Sequence, residues 1–212
     1  MFPVPPALQR LADQIDGWLD LRCPDKALAL LEPLLADATA RAEGLSLRVR
    51  ALVRLGRYAD ALPDLAELAR LQPTESWVPL TDAWCKKRTG DLRGAIAGLR
   101  RLLERDHRND VARFNLACYL ALDGQREAAI DELTLACGLN AEHRDFARDE
   151  PDFDGLRTDP RFRQLLRSAG AAADDDPLAD DLDDEGEGES DDESDDDDDD
   201  DPPAGPRSHR LN

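Results

Sequence analysis

The chain has 212 residues and a formal net charge of −20. Residues 170–212 hold 20 acidic and two basic side chains, a local charge of −18, so residues 1–169 are nearly neutral at −2. A near-neutral body with an acidic end disfavours direct binding of nucleic acid. No run approaches the ~20 apolar residues of a membrane span, and the N-terminus lacks the basic and apolar regions of a signal peptide. We therefore expect a cytoplasmic protein that binds no membrane.

A period of 34 residues runs through most of the chain. Gly56, Gly90 and Gly124 are spaced by this interval, and apolar residues recur with them. Within each unit a small residue is followed four and seven positions later by mostly large apolar ones, which is one face of an α-helix. The recurring positions are Ala27, Ala61, Ala95 and Ala129; Leu31, Leu65, Leu99 and Leu133; and Leu34, Leu68, Leu102 and Ala136. A fixed period without insertions predicts an all-α solenoid of stacked helix pairs.

Four units are predicted at 8–41, 42–75, 76–109 and 110–143, after an N-terminal extension at 1–7. In each unit a glycine in the left-handed conformation ends the first helix, and the small alanine lets the second helix approach closely. The first unit differs at two positions. Arg22 stands where the turn glycine is expected, and Pro33 is expected to kink the second helix.

The fourth unit carries the fullest pattern, with Leu116, Ala117, Leu120, Gly124 and Ala129 in phase. In spacing and residue type it resembles the tetratricopeptide repeat, a pair of antiparallel helices. The resemblance implies a non-enzymatic scaffold that binds a peptide or helix of a partner protein. In that family the ligand lies in a concave groove lined by the first helices of the units.

The resemblance also implies which residues line the groove. The candidates are Arg50, Arg54, Trp77, Trp84, Lys87, Arg88 and Phe114. The four basic side chains would hold an acidic group of the partner and the three aromatic ones an apolar anchor. The third unit leaves an alternative open, because Pro79, Asp82 and Lys86 stand at positions that are normally buried. If its first helix is shifted by three residues, Trp77, Leu80 and Trp84 form the core instead.

Residues 144–169 are similar to the segment that closes many bacterial arrays of this family. The matching residues are Phe153, Leu156, Arg157, Asp159, Pro160, Arg161, Phe162 and Leu165. We expect this cap to cover the apolar edge of the last unit. Glu150, Asp152, Asp154 and Gly155 imitate the start of a calcium loop, but Arg161 stands where the bidentate glutamate is needed, so no calcium site is expected.

The acidic tail at 170–212 ends its charged run in seven consecutive aspartates, Asp195 to Asp201. A segment with so little to bury is predicted to be disordered. Three roles stay open. The tail could keep the protein soluble, or bind back to the basic strip Arg50, Arg54, Lys87 and Arg88. It could also bind basic proteins, in which case the protein is an acidic chaperone with the repeats as a positioning platform.

Motifs of catalysis and metal binding do not occur in the sequence. There is no phosphate-binding loop with lysine, no G-x-S-x-G and no H-E-x-x-H. The four cysteines, Cys23, Cys85, Cys118 and Cys137, form no C-x-x-C pair and have no histidine at ligand spacing. We expect free thiols, no metal, no cofactor and no enzymatic activity.

Overall fold

The computed structural model describes residues 4–167. Within this range the chain forms eleven α-helices and one short 3-10 helix, and no strand. The helices are α1 Pro6–Asp20, α2 Pro24–Leu28, α3 Glu32–Ala36, α4 Arg41–Arg54, α5 Tyr58–Leu71, α6 Trp77–Arg88, α7 Leu92–Arg105, α8 Asp110–Leu122, α9 Arg126–Leu139, α10 His143–Asp149 and α11 Pro160–Arg167, with the 3-10 helix η1 Pro151–Leu156 between the last two.

The helices pack in sequential pairs. α4 packs on α5, α6 on α7 and α8 on α9, while α1 packs on the two short helices α2 and α3. Each pair also contacts the first helix of the next one, through α5 with α6 and α7 with α8. The predicted all-α solenoid of helix pairs is therefore confirmed. The unit boundaries stay predictions; α1 begins at Pro6, two residues before the predicted start of the first unit.

The buried positions follow the 34-residue period. Ala27, Ala61, Ala95 and Ala129 are all 0% exposed, and the apolar side chains four and seven positions later are buried with them. Because a methyl group is the whole side chain at these alanines, the two helices of a pair approach each other closely. Three adjoining apolar clusters extend this core along the array, from Ile15 in α1 to Phe162 in α11.

The turns inside the four units share one geometry. Gly56, Gly90 and Gly124 have positive φ angles of 67°, 86° and 77°, and Arg22 has a φ of 53° at the equivalent place. After each of these residues the next amide donates to the carbonyl five positions earlier, at 2.8–2.9 Å, as Arg57 does to Leu52. This is the bond that closes a helix with a left-handed residue. Arg22 adopts the glycine conformation although its Cβ disfavours it.

Pro33 interrupts the second helix of the first unit, as expected, and does so completely. α2 ends at Leu28 and α3 begins at Glu32. Proline has no amide to donate, and its ring clashes with the carbonyl four residues earlier, which favours a break in the helix at this position. The two short helices still bury Ala27 and Leu34, so the core pattern survives the break.

The cap is formed by α10, η1 and α11. Phe153, Leu156 and Phe162 are at most 1% exposed and join the core of the third and fourth units. No helix of the described residues is long and apolar enough to cross a bilayer. The predicted disordered tail at 170–212 lies outside the described residues, as do residues 1–3 of the N-terminal extension.

Candidate partner-binding surface

The first helices α1, α4, α6 and α8 repeat the same positions every 34 residues. One set of equivalent positions is Asp16, Arg50, Trp84 and Cys118; the set one turn later is Asp20, Arg54, Arg88 and Leu122. We call the surface formed by these two sets, together with Trp77, Lys87 and Phe114, the first-helix surface. It contains all seven candidate groove residues, and the structure places them in three separate groups.

The first group is basic and is paired with α1. Arg50 donates to the carboxylate of Asp16 and lies 3.9 Å from an oxygen of Asp20. Arg54 donates to the backbone carbonyl of Leu19. Both arginines therefore join the second unit to the first. The Arg54 side chain remains exposed, whereas Arg50 is half-buried.

The second group is aromatic and lies mostly in the core. Trp84 is 9% exposed and meets the ring of Tyr58 edge-on, with centroids 4.8 Å apart. The Arg88 guanidinium lies 5.2 Å from the Trp84 ring centroid and 5.8 Å from that of Tyr58. Trp84 is thus a core residue that offers a partner little more than its edge. Leu80 is 8% exposed, and Trp77 is half-buried and packs against the same core as Trp84. These positions agree with the alternative in which the first helix of the third unit is shifted by three residues.

Pro79, Asp82 and Lys86 lie on another side of α6. They line an open cleft of about 450 Å³ between α5, α6 and α7. Within it the Lys86 ammonium binds the Asp82 carboxylate at 2.6 Å. The polar residues that depart from the repeat pattern are therefore accommodated at a surface rather than in the core.

The third group lies under the cap. Lys87 Nζ is 2.6 Å from Asp152 Oδ2, an oxygen of η1, and 5.5 Å from the Tyr119 ring centroid. Phe114 meets Phe153 of η1 edge-on at 5.8 Å. η1 therefore crosses from α6 to α8 over the first-helix surface. It places a carboxylate on the predicted lysine and an aromatic ring on the predicted phenylalanine.

Phe114 also contacts the start of the cap. Its ring is stacked on that of His143, with centroids 4.8 Å apart and planes inclined by 19°. His143 Nε2 donates to Asp110 Oδ2 at 3.0 Å, and its Nδ1 is buried without a hydrogen-bond partner among the described residues. Burial alone would raise the pKa of Asp110, but hydrogen bonds with His143 and Asn140 lower it below its ordinary value.

Cys118 lies between Phe114 and Leu122 on the same face of α8 and is 3% exposed, whereas Leu122 is 46% exposed. Burial raises the pKa of its thiol well above the ordinary value, and the carboxylates of Glu150 and Asp152 raise it further. η1 packs on α8, and Cys118 lies in the same buried apolar cluster as Phe153 and Leu156 of η1. This thiol is a natural reporter of whether the segment is in place.

The carboxylates that imitate a calcium loop are engaged elsewhere. Asp152 binds Lys87, and Asp154 Oδ1 accepts from Arg157 at 2.8 Å. Over residues 4–167 no group of three histidine, cysteine or acidic side chains is arranged to hold a metal ion.

The structure thus brings Lys87 and Phe114 together through η1, and Trp84 and Arg88 through Tyr58, but it does not form one continuous basic strip. The sequence did not predict that Asp16, Tyr58, Asp152 and Phe153 contact the candidate groove residues. Asp16 could have been found, because it stands one period before Arg50 with the opposite charge. The position of η1 has no comparable signal, since the periodic pattern ends before it.

The comparisons with known proteins concern the fold. No protein-family model matches the sequence, and no curated protein matches it significantly. Among solved structures, a MamA protein matches with a TM-score of 0.67 at 15% identity, covering 81% of this chain and 96% of that one. A second match, YrrB, is described as a TPR protein, so the fold is that of the tetratricopeptide repeats.

Two further structures agree with this fold. MamA residues 41 to the end from Desulfovibrio magneticus RS-1 match with a TM-score of 0.62 at 16% identity, over 80% of this chain and 98% of that one. YrrB, described as a TPR protein with an unusual peptide-binding site, matches with a TM-score of 0.60 at 16% identity, over 78% of this chain and 86% of that one. At these identities the likeness concerns the fold alone.

Proposed function

We propose that the protein is a non-enzymatic interaction scaffold that binds a peptide or helical segment of a partner protein on its first-helix surface. The observation that carries the proposal is η1. A short segment of this chain already lies across α6 and α8, held by an ion pair to Lys87 and a ring contact to Phe114. A surface that binds a peptide segment within the chain has the chemistry to bind one from another protein.

The part of the surface next to η1 offers further contacts. Arg54 and Arg88 are exposed at the ends of α4 and α6, and the half-buried ring of Tyr58 lies close to Arg88. Arginine and aromatic side chains are the residues that most often carry the binding energy of protein interfaces. We expect Arg50 to contribute less to partner binding, because it already forms an ion pair with Asp16. The likeness in fold to YrrB, a protein described as having a peptide-binding site, agrees with the proposal.

The test is affinity capture from a lysate of the source cells with the full-length chain as bait. We expect Arg88→Glu to reduce the captured partner several-fold, because the reversed charge faces the partner. The matched control is Arg93→Glu, which reverses an exposed charge on α7, a second helix. Equal capture by the two variants would contradict binding at the first-helix surface. Thermal unfolding of both variants verifies that they are folded.

The acidic chaperone is the second candidate, since residues 170–212 carry a net charge of −18. The same capture with a chain ending at residue 169 separates the two functions. The scaffold is expected to keep its partners after this truncation. Loss of partners that are basic in composition would instead assign binding to the tail.

A further inference from the structure

η1 and the residue before it combine an acid and an aromatic ring in adjacent positions. The segment Glu150–Leu156 reads Glu-Pro-Asp-Phe-Asp-Gly-Leu. Asp152 is 12% exposed in its ion pair with Lys87, and Phe153 is fully buried between Phe114 and Phe162. Lys87 and Phe114 would bind the same two groups in a partner: a carboxylate and, directly beside it, a large apolar side chain.

The segment is held mainly by side chains. Its own backbone forms a single short 3-10 helix, whose hydrogen-bond geometry is poorer than that of an α-helix. Arg126 donates to the carbonyl of Gly155 at 2.5 Å, and Lys87 binds Asp152. Because Phe153 and Leu156 are buried in the core, the segment opens only in a minor population of molecules. The flanking helices α10 and α11 contact each other and α9, and these contacts do not involve the segment.

We propose that Glu150–Leu156 is an internal ligand, and that the protein partner presents the same pair, a carboxylate followed directly by an aromatic residue. The partner binds Lys87 and Phe114 after the internal segment has withdrawn and uncovered Cys118. This proposal rests on the proposed function and assigns the chemistry of the ligand. The affinity for the partner is reduced by the fraction of molecules in which the internal segment is bound.

Two substitutions that break the same ion pair separate an internal ligand from a mere structural contact. Asp152→Asn weakens the internal ligand and leaves Lys87 available, so the site should bind an external ligand more tightly. Lys87→Met loosens the segment equally but removes the residue that binds the ligand. The two variants therefore have opposite expected effects on binding, although their effects on the ion pair are the same.

The probe is the fluorescein-labelled peptide Glu-Pro-Asp-Phe-Asp-Gly-Leu, titrated with the full-length protein by fluorescence polarisation. We expect Asp152→Asn to bind it roughly tenfold more tightly than the wild type, and Lys87→Met to show no such gain. Replacing the phenylalanine of the peptide by alanine should abolish binding. Equal affinity for wild type and Asp152→Asn, or equal gain in both variants, would overturn the proposal.

Alkylation of Cys118, followed by mass spectrometry, provides an independent readout. In Asp152→Asn its rate should rise relative to that of Cys137, which is equally buried on α9, and saturating peptide should lower it again. A parallel rise at both cysteines would reveal general unfolding and would overturn the proposal. If the peptide fails to bind while capture still depends on Arg88, the internal ligand is refuted and the scaffold function stands.

Discussion

Arg50 of α4 and Asp16 of α1 form an ion pair, and the two residues are 34 positions apart, one full repeat. They are therefore the same position in two successive units. In a solenoid equivalent positions stack on one another, so opposite charges at one position join neighbouring units. The next two units have the buried side chains of Trp84 and Cys118 at this position, so no charge pair can form there.

Removing this inter-unit ion pair should weaken the N-terminal end of the array. We expect Asp16→Asn to lower the free energy of unfolding by about 1 kcal/mol, because both side chains are only half-exposed and lose a charged hydrogen bond. The exchange Asp16→Arg with Arg50→Asp should recover part of this loss. Urea unfolding measures the effect. Asp60→Asn, in the exposed pair with Arg57, is the control and should change stability by less than about 0.5 kcal/mol.

Two bidentate arginine pairs join α4 to α5 and differ in burial. Arg48 binds both carboxylate oxygens of Asp64, whose side chain is 6% exposed, while Arg41 binds Glu67, whose side chain is 26% exposed. Asp64→Ala should cost about 3 kcal/mol, since it leaves the Arg48 charge partly buried and without its partner. Glu67→Ala should cost clearly less, because solvent screens its pair with Arg41. Chemical denaturation of the two variants tests this order, and equal losses would contradict it.

The periodic part of the fold could be predicted from the sequence, because the main core positions recur in all four units in equivalent places. Ala27 and its equivalents, the turn glycines and the break at Pro33 all follow from local rules of helix packing and backbone conformation. Arg22 fits the same turn because the surrounding bonds impose it.

The candidate site could be predicted only in part. Lys87 and Phe114 were identified from the repeat pattern, but the segment that covers them comes from the cap, where the pattern has ended. Asp152 is 65 residues from Lys87, and a contact at this distance in the chain has no local signal. Trp84 was ambiguous for another reason, since a tryptophan in a first helix can point to the core or to the groove, and tertiary packing decides between them.

Most substitutions lower the free energy of unfolding, but the left-handed conformation of Arg22 predicts a substitution that does not. A residue with a Cβ costs about 1 kcal/mol in the left-handed region, and glycine removes this cost while losing more entropy on folding. Arg22→Gly should therefore raise the unfolding free energy by about 0.5 kcal/mol or leave it unchanged. At Gly90, which has a φ of 86°, an added Cβ would meet no atom within 4 Å, so the cost of Gly90→Ala comes from the backbone. This substitution should lower the unfolding free energy by at least about 1 kcal/mol. Thermal unfolding distinguishes the two.

Asp110 should contribute to the acid sensitivity of the cap. Its pKa is lower in the folded chain than the ordinary 3.8, so its contribution to stability is present above that pH and is lost as the pH falls through the folded value. Asp110→Asn should therefore be less stable than the wild type at pH 7. Its stability should also fall less steeply below pH ~4. Unfolding by urea across pH gives both results. Asp145→Asn, whose carboxylate is 74% exposed, should keep the wild-type profile.

The four cysteines should react in two classes. Burial raises the pKa of Cys85 to about 12, with a smaller contribution from Asp82, and it also raises those of Cys118 and Cys137. Because the thiolate is the reactive form, these three thiols should resist iodoacetamide at pH 8 in the folded wild type. Cys23, half-buried at the turn after α1, should be modified first. Peptide mass mapping after timed alkylation reads each site, with urea-unfolded protein as the control in which all four react. Early modification of Cys85 would show that α6 opens far more often than a core helix should.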